Sequence, residues 1–520
     1  MTIQLVQTAQ ISGVTSLGTI ENYSCGYSYG FSVVINPTLP IVLFSYENNG
    51  YMGIAVVIGN VAQYYGGGTA SQSAGIVAYH TPIVFFENSI VIPVLYGSYG
   101  DWWDYASSLV VVNYQAKISN YQGYVLPYQF SASEYLLAGF TDAYLDFQNQ
   151  NLYLLGVNYN MFIVLLFAIP FSQLSTLLNQ LQLPSQFQEA SLMPPNGENL
   201  ISYYYTYPPP CAEGGTDIAP TMIYYNEQFY LFFGGGEEAI YMWTFSLSEI
   251  TWSNTLPSST TTTINGTTYY YVPSNLQTVG NIVNIMPEAG YPDIYIYGFN
   301  VGFNYYISGG TIYPEILVPV ILDNYNVPEG WTLAVISVNP NTLNVTAVAD
   351  IPYNGVNPAL SVYPYLPIYI SGGLLVSTAY VSSSSSSSYW YVFVYDRNTG
   401  DMALFPPPND VIFVIPAEGG YVISVTGSST NATITIYQVV ADAVPVITNV
   451  EFANNTISGT ATDLVSNTPV SGATVALFQL ISQGGYEFSG AIVATTTTDS
   501  NGDFSFQVSQ PGYYAIRAFT

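Results

Sequence analysis

Between Pro367 and Pro408 the chain reads PIYISGGLLVSTAYVSSSSSSSYWYVFVYDRNTGDMALFPPP, apolar runs set off by polar or glycine breaks. Ile368–Ile370 and Leu374–Tyr380 are apolar strands either side of a Gly-Gly break. A serine run, Ser382–Ser388, leads into an aromatic strand, Tyr389–Tyr395. Asp396-Arg-Asn-Thr-Gly400 reads as a turn before a fourth short strand that ends in prolines. Short runs of β-branched and aromatic residues bounded by Gly, Asn, Ser and Pro predict strands. The whole stretch therefore predicts four antiparallel strands joined by tight turns, the make-up of one β-propeller blade.

The same order recurs along the chain. After weak strands at Ile3–Gln7 and around Thr15–Ile20, a unit from Phe31 to about Tyr65 holds two apolar strands around Asn49-Gly50, a strong hairpin signal. The first strand is expected to complete the last blade. A second unit starts at Pro82, and a third runs through AYLDFQNQNLYLLGVNYNMFIVLLFAIP. Ser172–Gln182 follows with Leu174, Leu177, Leu178 and Leu181 at helical spacing, which predicts the one convincing helix. A fourth unit begins at PTMIYYNEQFYLFF and carries a Thr-rich insertion, read as a hairpin around Asn265-Gly266. In the fifth, VNPNTLN stands where VYDRNTG stands in the sixth, as the turn between third and fourth strands. VIFVIPAEGGYVISVTGSSTNATITIYQVV makes a shorter seventh. The expectation is an all-β chain: a β-propeller-like domain of six or seven blades over residues 1–441. A large β-sandwich or stacked jelly rolls would share much of the pattern. The repeats loosely resemble kelch-like and galactose-oxidase-like propellers, without the diagnostic Gly-Gly and Trp spacing of those families.

After Asp442 the pattern changes. ISGTATDLVSNTPVSGATVALF (Ile457–Phe478) and TTTTDSNGDFSFQVSQPGYYAIRA (Thr495–Ala518) resemble the carboxypeptidase-regulatory-like and Cna-B-like families. Val470 and Gly472 to Val475 match the first turn and strand, Asp499, Gly502, Phe504 and Phe506 the hairpin, and Pro511-Gly-Tyr513 the turn after it. The resemblance implies a small Ig-like (transthyretin-like) β-sandwich over residues 446–520. The Lys–Asn cross-link of some Cna-B-like domains is excluded, because this segment has no lysine. Relatives usually continue into one more strand, so an open sheet edge is expected, to be filled by a neighbouring chain through strand addition. A longer product, or a family that simply ends early here, would explain the same feature.

Composition narrows the function classes. Three basic residues, Lys117, Arg397 and Arg517, face 32 acidic ones, for a formal charge of −29. A phosphate-binding surface needs clustered Lys and Arg, so nucleic acid is excluded as a partner. Charged residues are 7% of the chain while hydrophobic residues are 49%, which argues against disorder. The carboxylates are also too few for halophile adaptation. An acidic, hot medium fits best: carboxylates are protonated there, and hydroxyls and amides keep the surface wet.

Candidate chemistry is sparse. His80 is the only histidine, which excludes a histidine-based metal cluster and leaves no supported catalytic triad. Asp101 and Asp104, with Glu237 and Glu238, are the best carboxylate pairs for glycoside cleavage, but each reads as well as a turn. Trp102 and Trp103 are candidate glycan contacts. Cys25 and Cys211 are a candidate disulfide or two unrelated thiols. Asn22, Asn265, Asn344, Asn431 and Asn454 open N-glycosylation sequons. Asp499–Asp503 superficially resembles a calcium loop without its distal glutamate, and Gly234-Gly-Gly236 is no P-loop. Neither a cofactor nor a metal is expected.

The first residues lack the basic and apolar regions of a signal peptide, and no apolar run is long enough to span a bilayer. The expectation is a non-catalytic, extracellular virion-surface protein of an acidophilic archaeal system. It would be a spike, turret or tail-fibre component that contacts other coat proteins and a host glycan or protein. A cellular adhesin or surface-layer or pilus-associated protein is the first alternative. A secreted glycan-binding or glycan-cleaving enzyme is the second.

Overall fold

The computed structural model describes the backbone of most of residues 2–519 and, from residue 142 onward, the side chains of most of those residues. The longer stretches outside the description are 78–83, 99–105, 114–121, 129–138, 175–185, 198–220, 324–329 and 354–360. Strands dominate. They form seven sheets of four or more strands in chain order, antiparallel except where Gln277–Thr278 runs parallel to Leu192–Met193, and we number them as blades. Their first strands begin at Phe31, Val84, Gly139, Thr221, Tyr295, Ser361 and Val411. Consecutive sheets touch, and the strand Val411–Ala417 of blade seven reaches Phe31–Asn36 of blade one, so the series closes into a ring.

Closure is made by the beginning of the chain. Thr2–Ser12 pairs antiparallel with Asn431–Val440, in register from Thr2 opposite Val440 to Ser12 opposite Asn431. The sheet order makes it the outermost strand of blade seven, as expected from the sequence.

A blade inside such a ring is covered on both faces, which explains why its strands read as unbroken apolar runs instead of alternating. Ile163–Pro170 is buried along almost its whole length, as are Gln228–Gly234 and most of Trp331–Val338. The outer strand Val345–Pro352 is half-exposed throughout. Trp243, Phe229, Phe232 and Phe245 fill the core of blade four.

The turns repeat in detail. In blade six the Asp396 carboxylate accepts the Asn398 N–H, Gly400 N–H donates to the Asp396 carbonyl, and Gly400 has φ 76°. In blade five Asn339 Oδ1 accepts the Asn341 and Thr342 N–H groups, Leu343 N–H donates to the Asn339 carbonyl, and Leu343 has φ 60°. These are the two segments aligned by sequence. Leucine thus holds a left-handed position where glycine stands one blade later, at a cost of about 1–2 kcal/mol. Leu343→Gly is expected to raise stability by up to about 1 kcal/mol after the added freedom of the unfolded chain is counted. A denaturant midpoint that falls instead would mean that the leucine side chain contributes more packing than its backbone loses.

The Thr-rich insertion is a hairpin, Ser259–Ile264 against Thr267–Pro273, with Asn265 and Gly266 themselves outside the described residues. Of the predicted helix, residues 171–174 are helical and Leu174 is buried. Leu177, Leu178 and Leu181 lie outside the description.

From Pro445 the chain forms a separate three-stranded sheet and a second group of three strands that continues the sheet of blade three. One holds Pro445–Ala453, Thr456–Asp463 and Asp503–Gln507, and the other holds Tyr514–Phe519, Thr474–Gly484 and Glu487–Thr497. Burial alternates strictly along Asp503–Gln507, whose sheet has one covered face, whereas Val475–Phe478 is buried on both faces, Val475 and Leu477 in the sandwich core and Ala476 and Phe478 against the ring. Ile457, Val475, Leu477, Phe504, Phe506 and Ala518 make the core between them. Asp499–Asp503 is an exposed hairpin turn: the Asp499 carboxylate accepts the Asn501 and Asp503 N–H groups. Gly502 has φ 75°, and a Cβ there would lie 2.5 Å from the Ala461 carbonyl oxygen.

Candidate functional site

Few of the sequence-predicted site residues meet one another. Asn344, Asn431 and Asn454 are exposed, and Asn22 ends a short strand. Glu238 is exposed beside a turn. Asn265, Cys25, Cys211, Trp102, Trp103, Asp101, Asp104, Glu237 and His80 lie outside the described residues. Among the described residues no cluster of His, Cys, Asp or Glu could hold a metal ion.

What the structure does bring together is the sandwich and the inner edges of the ring. The first strand of each blade lies nearest the axis, with one edge free of its own sheet. In blade three that edge is taken by the sandwich hairpin Thr474–Thr497: Leu145 pairs with Gln483 and Asp146 with Ser482. Phe147 N–H donates to the Ile481 carbonyl, and the Phe147 ring packs 4.7 Å from Tyr513. Next along the ring, Ser482 Oγ donates to the Tyr224 carbonyl of blade four at 2.7 Å. In blade five, Phe303 N–H donates to Glu487 Oε2 at 2.8 Å. Tyr305 Oη accepts from Gly490 N–H at 2.9 Å and donates to the Gly490 carbonyl at 3.0 Å. Tyr305, Phe478 and Phe488 pack ring to ring beneath these bonds. The contact is made along Thr474–Gly484, beside the end of Tyr514–Phe519, and the outer edge of that last strand pairs with no other strand among the described residues.

The close approach depends on missing side chains. A Cβ on Gly302 would lie 2.3 Å from Glu487 Oε1, and one on Gly484 would enter the Tyr144 ring at 2.5 Å.

A charged knot closes the far side of this contact. Glu315, 1% exposed, accepts from Asn304 Nδ2 at 2.8 Å, Ser337 Oγ at 2.9 Å and the Arg397 guanidinium at 3.3 Å. Asn304 Oδ1 in turn accepts from the Arg517 guanidinium at 3.0 Å. Two of the chain's three cations therefore converge on one buried carboxylate, joining blades five and six to the last strand of the sandwich. Arg397 also lies over the Tyr306 ring and Arg517 over Phe519. The Arg517 stem is partly exposed, but its guanidinium is drawn inward. Burial lowers its pKa to about 10, opposed by the neighbouring Glu315 charge.

Other acids are buried in the blades. Asp142 takes a backbone N–H on each carboxylate oxygen, from Ala143 and Met222. Burial nevertheless pushes its pKa well up. Burial likewise raises Glu189, against the opposing hydrogen bonds from Ser191 and Asn275. Asp146 accepts from Tyr224 Oη at 2.7 Å and from Tyr153 Oη, and burial raises both phenols. These groups hold blades three and four together and face no solvent. A cleft of about 500 Å³ lies between blades four and five, lined in part by Thr244, Asn281, Ile282, Leu343, Asn344 and Thr346.

The sandwich matches a known family. Residues 456–519 match the carboxypeptidase regulatory-like domain, the resemblance read from Val470, Gly472, Asp499 and Gly502. No curated protein sequence matches the chain. Among solved structures, it is similar to the crystal structure of the WD40 domain of SCAP from fission yeast. Identity there is 9% over 84% of this chain and 94% of that one, with a TM-score of 0.34. Trypanosoma rangeli sialidase is 10% identical over 98% of this chain and 87% of its own, with a TM-score of 0.35. Likenesses this faint say nothing about activity. The propeller assignment rests on seven sheets in chain order and their closure by Thr2–Ser12.

Glu315, Arg517 and Asn304 were not singled out by sequence reasoning. One signal was available: in a chain with three cations, a buried arginine has to be held by a particular acid.

Proposed function

We propose that the chain is a non-catalytic surface protein that attaches a virion to its host, with the propeller as recognition domain and the sandwich as its mount. The observation that carries this reading is the sealing of inner strand edges in blades three to five by the sandwich hairpin. A concave axial site is the natural place for a small substrate in a ring of sheets, and in blades three to five the inner strand ends at one mouth of the ring are covered by the chain itself. The sandwich sits at the end where first strands turn into second ones. Recognition is left to the opposite end, where second strands turn into third ones.

The strands that flank three sequence features end on that opposite side, in blades two, four and six. Ser98 and Ala106 border the segment with Trp102 and Trp103, Gly234 and Ile240 border the one with Glu237 and Glu238, and Ser382 and Ser388 border the serine run. Aromatic, hydroxyl and amide groups with few charges suit a glycan or an uncharged protein surface, and they work in acid. Contacts with other coat proteins belong to the same reading, as does an extracellular location.

The test is binding of the full chain to glycan arrays and to cell-surface extracts between pH 3 and 7. Trp102→Ala with Trp103→Ala is expected to weaken binding at least about tenfold. Polysaccharide cleavage that disappears in Glu237→Gln would overturn the non-catalytic reading. Immunogold labelling of cell envelopes but not of virus particles would move the protein to the adhesin class.

A further inference from the structure

We propose that Asn344 carries an N-linked glycan whose first sugars rest in the cleft between blades four and five. Three independent observations meet at this residue. Asn344-Val345-Thr346 is a sequon, and Asn344 is exposed at the end of a tight turn. Asn344 also forms part of the cleft wall, together with the hydroxyl and amide groups of Thr244, Asn281 and Thr346, the single carboxyl group of Glu288 and the aliphatic surface of Ile282. That mixture suits a neutral sugar, whose hydroxyls need donors and acceptors and whose C–H face needs an apolar partner.

The third observation is the neighbouring residue. Leu343 is 44% exposed and held at φ 60°, in a turn whose counterpart in the next blade uses Gly400. Folding alone gives no reason to keep a strained, solvent-facing leucine there. A backbone outlier of this kind points to a function that needs the side chain. A sugar seated on Asn344 would cover it.

The other described sequons lack this setting. Asn431 opens a strand and is paired between Ser12 and Ser428. Asn454 sits in a two-residue turn with Asn455, both at positive φ.

Attachment joins Asn344 Nδ2 to C1 of the sugar supplied by a lipid-pyrophosphate-linked oligosaccharide. The lipid pyrophosphate leaves, and Nδ2 gives up one proton. The inference rests on the extracellular placement proposed above, but its test does not depend on any receptor. The full chain is produced in a eukaryotic secretory host and its glycopeptides are analysed by mass spectrometry.

Asn344 is expected to be modified, and Asn344→Gln to lose the mass of one glycan. Enzymatic removal of the sugar should speed amide hydrogen exchange at residues 281–283 and 339–346, and should change nothing there in Asn344→Gln. Leu343→Gly should keep the modification and lose most of the protection. An unmodified Asn344, with or without sugar at Asn454, overturns the site. Unchanged exchange on sugar removal overturns the seating in the cleft.

Discussion

Glu315→Gln is expected to loosen the sandwich from the ring and to lower stability by about 3 kcal/mol. Glutamine has the same shape but keeps one acceptor oxygen, which serves Asn304 Nδ2 or Ser337 Oγ and not both, because these bond to different carboxylate oxygens. Also lost is the negative charge that faces Arg397, whose side chain is 20% exposed, and that lies near the inward-drawn Arg517. Removing one partner of a buried ion pair leaves the other desolvated and uncompensated, whereas replacing the whole group with apolar residues is often close to neutral. The triple variant Glu315→Leu, Arg397→Met, Arg517→Met should therefore recover most of the loss. Calorimetry reads both results. The single variant should show an early transition for the sandwich, and one unshifted transition would show that the knot contributes nothing to docking.

The second large effect is on pH dependence. Burial raises the pKa of both Asp142 and Glu189. A carboxyl whose folded pKa is raised holds its proton more tightly when folded. Its contribution is complete below the unfolded value of about 4 and is lost as pH rises through the folded value. The lowered Arg517 acts only above about pH 10 and leaves the acid range untouched. Self-repulsion from a formal charge of −29 works in the same direction as the two acids. The melting temperature is therefore expected to be highest in acid and to fall towards neutrality. Asp142→Asn should flatten that slope, losing more stability at pH 3 than at pH 8. A maximum near pH 7 in the parent chain would remove the argument for an acidic habitat.

The blades were legible in the sequence because their causes are local. Asn49-Gly50 and Asn265-Gly266 each lie between two paired strands, and the Asn339 and Asp396 turns share a hydrogen-bond pattern because their side chains bond within a few residues. Gly502 similarly marks its turn in the sandwich. The docking of the sandwich was not legible. Arg517 and Asn304 are 213 positions apart, and Ser482 reaches a carbonyl 258 positions earlier. No periodicity encodes contacts of that span. The left-handed backbone of Leu343 was hidden in a different way, since its residue type conceals a position that the next blade gives to glycine.

The pairing of Thr2–Ser12 with Asn431–Val440 also sets a clock. Thr2–Ser12 finds its partner only after the chain has been made as far as Val440. At about 5–20 residues per second, that wait is on the order of a minute. Meanwhile a half-built ring exposes one unpaired strand edge and the bare flank of its first blade, the kind of surface on which growing chains stick to one another. Synthesis speed and chaperone supply, more than the strength of any contact in the finished molecule, should then decide the yield. The sandwich follows the ring in chain order, so it can fasten blades three to six only after the ring has had its chance to shut.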